Sequence, residues 1–277
     1  MGILKKIKRT IFPQYLTQPV VSDTKLLNQI IAKNRQTLAH VETWIDEEAM
    51  QNSCFKYGMP DTIRPFIDVP LSKKPSYSDY INYYSALINE PINYLEVGVS
   101  VGKNFFQVLN HVENAQLTGF EIEEINPPLK QQLQFHDVEY WKNKATSIKK
   151  NDASFSTFSY ATNKVNYLSA DVFDENSWAK LAGQKFNILF SDAFHDDTAL
   201  FLEYEMMQKY DLLADKFLFF WDDLHGSMEN AFVKITADMK RKYTLTNDNC
   251  FIFETTGWIG ENEPPHPTGL ITNIALK

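Results

Sequence analysis

From Ile92 to Trp221 the chain alternates short, uninterrupted apolar runs with stretches of helical periodicity, and this rhythm restricts it to one class of fold. The runs are Ile92–Val97, Leu117–Ile122, Val165–Leu168, Phe186–Phe190 and Phe217–Trp221. A strand with apolar residues at consecutive positions has both faces covered, as in a parallel sheet lying between two helical layers. The intervening segments are long enough for crossover helices. Thr198–Leu213 carries Phe201, Tyr204 and Leu212, and Ser227–Tyr243 places Met228, Phe232, Ile235 and Met239 on one face. Strands alternating with helices predict a doubly wound α/β sheet. Two further runs, Cys250–Glu254 and Leu270–Ala275, are separated only by the Gly/Pro-bearing connection Gly257 to Gly269, so they must pair antiparallel. The expected fold is therefore a Rossmann-like, mostly parallel sheet of seven strands ending in an antiparallel pair.

Upstream, the pattern is different. Residues 1–75 read as a helical and irregular N-terminal extension. Leu26, Leu27, Ile30 and Ile31 recur at helical spacing, as do Leu38, Val41, Trp44 and Ile45, while Pro60, Pro65, Pro70 and Pro75 break up the stretch that follows. The main domain is expected over 76–277, opening with a helix capped by Ser76 or Ser78. Within it, 136–164 is a long connection containing Trp141, Phe155, Phe158 and Tyr160, the kind of segment that often serves as a lid. With the Gly257–Gly269 connection, including Trp258 and His266, it is expected to shape an acceptor pocket. Removing Lys149 to Thr162 should then weaken acceptor binding and spare the donor.

Composition narrows the partners. With 27 basic against 35 acidic residues and a formal charge of −8, the chain is poorly suited to phosphate backbones, so nucleic acid is not the expected substrate. Two cysteines, Cys54 and Cys250, without C-x-x-C spacing argue against a disulfide scaffold or a zinc knuckle. No apolar run is long enough to span a bilayer. Residues 1–12 set Lys5, Lys6, Lys8 and Arg9 against Ile3, Leu4, Ile7 and Ile11. This is either a basic terminus packed locally or a weak contact with an anionic membrane surface. A cytoplasmic location is the default expectation, and the helical N-terminal segment leaves room for a homo-oligomer.

In open α/β sheets, ligands bind beyond the carboxyl ends of the strands. The first such end reads Glu96-Val97-Gly98-Val99-Ser100-Val101-Gly102, two glycines opening a helix directly after a buried strand. An acid just before the first glycine disfavours a pyrophosphate there and suits a ligand bearing an ammonium group. The G-x-G-x-x-G of dinucleotide enzymes is absent. Glu121 ends the second strand, at about the 20-residue distance from which a carboxylate can hold ribose hydroxyls, and Asp171-Val172 follow the third. Taken singly, each feature could be a common turn or a solvated acid.

Together, E-x-G-x-x-x-G after strand one, an acid after strand two and an Asp after strand three resemble the class I S-adenosylmethionine (SAM)-dependent methyltransferases, over about Ser76 to Lys277. The resemblance implies that Gly98 and Gly102 face the methionine part of SAM and that Glu96 and Ser100 lie near its amino and carboxylate groups. It also implies that Glu121 holds the ribose, and that Asp171 and Val172 border the adenine.

Strands four and five end in Asp192-Ala193-Phe194-His195-Asp196-Asp197 and Asp222-Asp223-Leu224-His225. Asp192, Asp222 and Asp223 at neighbouring strand ends would repel one another unless a cation joins them. An all-oxygen set without Cys favours Mg²⁺. Asp196 and Asp197 fit the plainer task of starting the next helix. The constellation is similar to that of metal-dependent small-molecule O-methyltransferases: catechol O-methyltransferase and, more closely, the sugar O-methyltransferases of macrolide and aminocoumarin biosynthesis. The resemblance implies Mg²⁺ on Asp192, Asp222 and Asp223, His195 as the base, and a sugar or other hydroxyl-bearing small molecule as acceptor. Three alternatives stay open at this point. They are a metal-independent SAM methyltransferase acting on another small-molecule acceptor, a non-catalytic SAM-binding protein, and a nicotinamide-dependent oxidoreductase.

Overall fold

The computed structural model describes residues 19–41, 74–141, 152–256 and 266–276. The basic segment 1–12, Cys54, Pro60, Trp258 and most of the Gly257–Gly269 connection lie outside the described residues. Helix α1 (Thr24–Val41) is followed by α2 (Tyr77–Ser85), β1 (Asn93–Val97), α3 (Lys103–Leu109), β2 (Gln116–Glu121) and α4 (Pro127–Gln131). Next come β3 (Gln134–Trp141), β4 (Ala153–Tyr160), β5 (Asn163–Ser169), α5 (Glu175–Ala179), β6 (Phe186–Ser191) and α6 (Asp197–Lys209). The chain closes with β7 (Leu213–Trp221), α7 (Ser227–Tyr243), β8 (Cys250–Thr255) and β9 (His266–Thr272).

The strands form one sheet in the order β3-β4-β5-β2-β1-β6-β7-β9-β8. As expected, β5, β2, β1, β6 and β7 run parallel, and β9 and β8 pair antiparallel beyond them. Consecutive residues of the parallel strands feed opposite faces. Tyr94, Leu117, Ile188 and Phe220 pack with α1, α2 and α3, whereas Leu95, Phe120, Leu189 and Phe219 pack with Trp178, Leu200 and Phe232 of α5, α6 and α7. Their continuous apolar sequence is thus the signature of a two-sided core.

The sheet has nine strands, two more than the expected seven. The difference lies in the segment read as a long connection: β3 and β4 form an antiparallel hairpin whose second strand pairs with β5, Phe155 opposite Leu168 and Phe158 opposite Val165. In Ala-Ser-Phe-Ser-Thr-Phe-Ser-Tyr the polar residues are interleaved with apolar ones because β4 is only partly covered, so it lacks the uninterrupted run of a two-sided strand.

Ser76 caps α2 in a capping box, its hydroxyl accepting from Asp79 N while the Asp79 carboxylate accepts from Ser76 N. Asp196 caps α6 by accepting from the Ala199 amide at 2.9 Å. Helix α1 shares the core of the main domain through Leu27, Ile30, Ile31 and Val41. No helix among the described residues is long and apolar enough to cross a membrane.

Candidate active site

The turn after β1 is built on three left-handed residues: Gly98 (φ 90°), Ser100 (φ 52°) and Gly102 (φ 86°). Both glycines are also required by space. A Cβ on Gly98 would lie 2.1 Å from the Asp192 carbonyl oxygen, and one on Gly102 would lie 2.6 Å from Leu129 Cδ2. The turn is braced by Glu121, whose Oε2 accepts from the Val99 amide (2.9 Å) and the Ser100 amide (2.8 Å). Its Oε1 accepts from the Ile122 amide at 2.8 Å. Glu121 therefore couples the ends of β1 and β2, a task that sequence spacing did not reveal.

Glu96 is buried at the penultimate position of β1. Its Oε2 accepts from the Tyr94 hydroxyl at 2.6 Å and from Asn104 Nδ2 at 2.8 Å. Burial pushes its carboxyl well above the ordinary range, against the lowering effect of the Tyr94 hydrogen bond. Asp171 after β5 is also buried and raised for that reason, and its Oδ1 accepts from the Phe173 amide at 2.9 Å. The Val172 carbonyl accepts from Trp178 Nε1 at 2.8 Å. Phe173 and Phe194 stand half exposed over these loops and meet edge to face at 5.5 Å.

Across the Gly98 contact lies the acidic centre. Asp192 follows β6 and Asp222-Asp223 follow β7, with Asp222 N donating to the Ser191 carbonyl at 3.0 Å and Asp223 at φ 51°. His195 spans the two loops, its Nε2 3.0 Å from Asp192 Oδ1 and its Nδ1 3.4 Å from Asp223 Oδ2. His266, at the start of β9, places Nδ1 3.0 Å from Asp222 Oδ2 and 3.0 Å from Asp223 Oδ1. Thr268 Oγ1 donates to Asp222 Oδ1 at 3.4 Å and bonds Thr255 Oγ1 at 2.8 Å.

The charges here are strongly interdependent. Burial raises the Asp192 carboxyl to about 6 although His195 hydrogen-bonds it. Burial disfavours the His195 imidazolium, but the Asp192 hydrogen bond and the surrounding carboxylates outweigh it and lift the group to about 9. Burial also pushes Asp223 up, yet the His266 hydrogen bond and charge hold it below the usual carboxylate range. Each of the two imidazoles thus bridges two of the three acids, His195 between Asp192 and Asp223 and His266 between Asp222 and Asp223.

Among the described residues, Asp222, Asp223 and His266 are the group whose ligand atoms all lie within 4.8 Å of one another. Such a set fits a divalent cation. Its carboxylates suit Mg²⁺, whereas its imidazole nitrogen is a donor that Mg²⁺ seldom recruits. Asp192, expected as a third ligand, sits on the other side of His195 in the same cluster. Sequence reading places His266 only in the wall of an acceptor pocket. Its place follows from topology, because β9 antiparallel to β7 brings its first residues beside the end of β7, with Leu224 N donating to the Pro267 carbonyl at 2.8 Å. Placing the strand start at Leu270 rather than His266 hid that neighbour. Surface hollows of about 440 and 280 Å³ lie elsewhere, one beside the β4–β5 turn and one between α1 and α3, and neither is lined by this cluster.

No protein-family model and no curated protein matches the sequence. Solved structures that resemble the chain include the plantazolicin methyltransferase BpumL in complex with SAH (12% identity, covering 89% of this chain and 99% of that one, TM-score 0.41). Human methyltransferase-like protein 13 in complex with SAH is another (18% identity, 68% of this chain and 74% of that one, TM-score 0.40). The methyltransferase MycE of the mycinamycin biosynthetic pathway, in complex with Mg and SAH, is a third (10% identity, 69% of this chain and 47% of that one, TM-score 0.39).

Proposed function

We propose that this protein is a SAM-dependent methyltransferase that methylates a hydroxyl of a sugar or other polyol-bearing small molecule. The observation that carries the reading is the contact between two half-sites. The Gly98 turn, where the donor would lie, packs directly on the backbone of Asp192, which opens the acidic centre. In this reading Gly98, Ser100 and Gly102 seat the methionine portion and Glu96 stands near its amino group. Glu121 holds the ribose while bracing the turn, and Asp171 with Val172 borders the adenine.

A divalent cation held by Asp192, Asp222 and Asp223 would lower the pKa of the acceptor hydroxyl and fix its position. His195 borders the same cluster; its acids hold it at about 9, and a cation on Asp192 and Asp223 would draw off that charge and leave the neutral imidazole that takes the hydroxyl proton. The acceptor oxygen forms a bond to the methyl carbon as the carbon–sulfur bond breaks, leaving S-adenosylhomocysteine. Transfer of this kind needs collinear reactants more than covalent help, so holding the two half-sites at fixed separation is the main contribution of the fold. The reach of His195 to both Asp192 and Asp223 favours a base positioned by two acids.

Calorimetry with S-adenosylhomocysteine and with NAD is the first test, followed by methyl transfer from labelled SAM to a panel of glycosides with and without EDTA. Binding of the homocysteine product, together with EDTA-sensitive methylation, is the expected result. Binding of NAD in its place would overturn the proposal. Methylation that EDTA leaves untouched would support the metal-independent alternative, to which the imidazole–carboxylate pairs already present lend some weight.

A further inference from the structure

We propose that His266 is a ligand of the cation, so that the site takes a first-row transition-metal dication in preference to Mg²⁺. The inference deepens the reading above and rests on its cation. Two features carry it. First, His266 Nδ1 is 3.0 Å from a carboxylate oxygen of Asp222 and equally 3.0 Å from one of Asp223. Ligands in adjacent positions of an octahedron with bonds of about 2.1 Å are separated by about 3.0 Å. These contacts are hydrogen bonds in the structure, and a cation would take the place of the shared proton, among three ligand atoms within 4.8 Å of one another.

Second, the strand geometry fixes the donor. His266 begins β9 in register opposite Thr255, and the Leu224–Pro267 backbone hydrogen bond locks that end of β9 to the loop bearing Asp222 and Asp223. Asp222 is itself oriented by Thr268 of the same strand. A nitrogen donor held this firmly gives little to Mg²⁺, which prefers oxygen ligands, and much to Mn²⁺, Co²⁺ or Zn²⁺. Asp192, which His195 links to Asp223, would supply a further oxygen, and the remaining positions would fall to water and an acceptor oxygen.

The test uses the full-length protein and three readouts. Calorimetric titration with Mg²⁺ and with Co²⁺ should show Co²⁺ binding at least ten-fold tighter. In His266→Gln the Co²⁺ affinity should fall about 10- to 100-fold, while Mg²⁺ affinity shifts less than three-fold. Pulsed electron paramagnetic resonance of the Mn²⁺-loaded wild-type protein should show coupling to an imidazole nitrogen. That readout is independent of whether any variant folds, and the coupling should persist in His195→Gln. Equal affinities for the two metals, a spectrum without nitrogen coupling, or coupling lost in His195→Gln and kept in His266→Gln would overturn the proposal. Asp222→Asn and the S-adenosylhomocysteine titration separate this from the broader reading. If divalent binding needs Asp222 and the homocysteine product binds, but His266→Gln changes nothing, only the nitrogen ligand is lost.

Discussion

Glu203 shows how a single side chain can link the carboxyl end of a central strand to the pH response of the whole protein. It lies fully buried on α6, its Oε2 accepting from the Ser191 hydroxyl, and its Oε1 has no partner among the described residues. Burial raises its carboxyl to about 7, against the lowering effect of the Ser191 hydrogen bond. A carboxyl that is harder to ionise in the folded state favours folding while it remains protonated. That advantage is complete below its unfolded value near 4.5 and is lost as pH rises through about 7. Glu203→Gln mimics the protonated form at every pH. It should match the wild type in denaturant unfolding at about pH 4 and exceed it by about 3 kcal/mol at about pH 9. A gain of the same size at both pH values would show that ionisation is not the cause. Nothing in the sequence pointed to Glu203, because a lone acid within an otherwise amphipathic helix normally faces water.

The N-terminal helix is attached by polar chemistry as well as by apolar packing. Asp79, fully buried on α2, accepts from Asn34 Nδ2 at 2.8 Å and pairs with Arg35 at 2.9 Å, both on α1, while also closing the α2 capping box. From there, Asn82 bonds Asn34, and Ser78 donates to Asn104, which in turn holds Glu96. Asp79→Ala would take the carboxylate from Arg35 and Asn34 and remove the reciprocal half of the α2 capping box. A loss of about 3 kcal/mol is expected, seen as a melting temperature lower by roughly 5–10 °C. The apolar spacing of Leu27, Ile30 and Ile31 was enough to find α1, and Ser76 with its following turn was enough to find the start of α2. The seam between them was not legible, since Asn34, Arg35 and Asp79 read as ordinary solvated residues until the two helices are laid side by side. The same contrast runs through the candidate site. Asp192, His195, Asp222 and Asp223 could be found because each sits just after a strand visible as an apolar run. His266 precedes its strand, where only pairing to β7 reveals its neighbours.

For the molecule as a whole, the hairpin β3–β4 extends the sheet beyond the parallel core and leaves an edge strand whose residues are mostly exposed. Asp137 and Glu139 on that edge, the latter paired with Lys180, oppose pairing with another sheet. Because β4 is hydrogen-bonded on both sides, cutting Lys149 to Thr162 is not a clean probe of an acceptor pocket. Deleting Gln134 to Tyr160 and bridging the gap with a Gly/Ser linker should uncover the edge of β5, which bears Val165 and Leu168. The product should elute as soluble aggregate on size exclusion with light scattering, and a monodisperse variant would mean the hairpin is dispensable to the core. The contact at Gly98 has a different kind of consequence. Main chain meets main chain there, with no side chain in between to absorb a shift or to be traded for another. The two loops are displaced as one body, so side chains are free to vary around the rim, at Phe173, Phe194 and His225, and not at the contact itself.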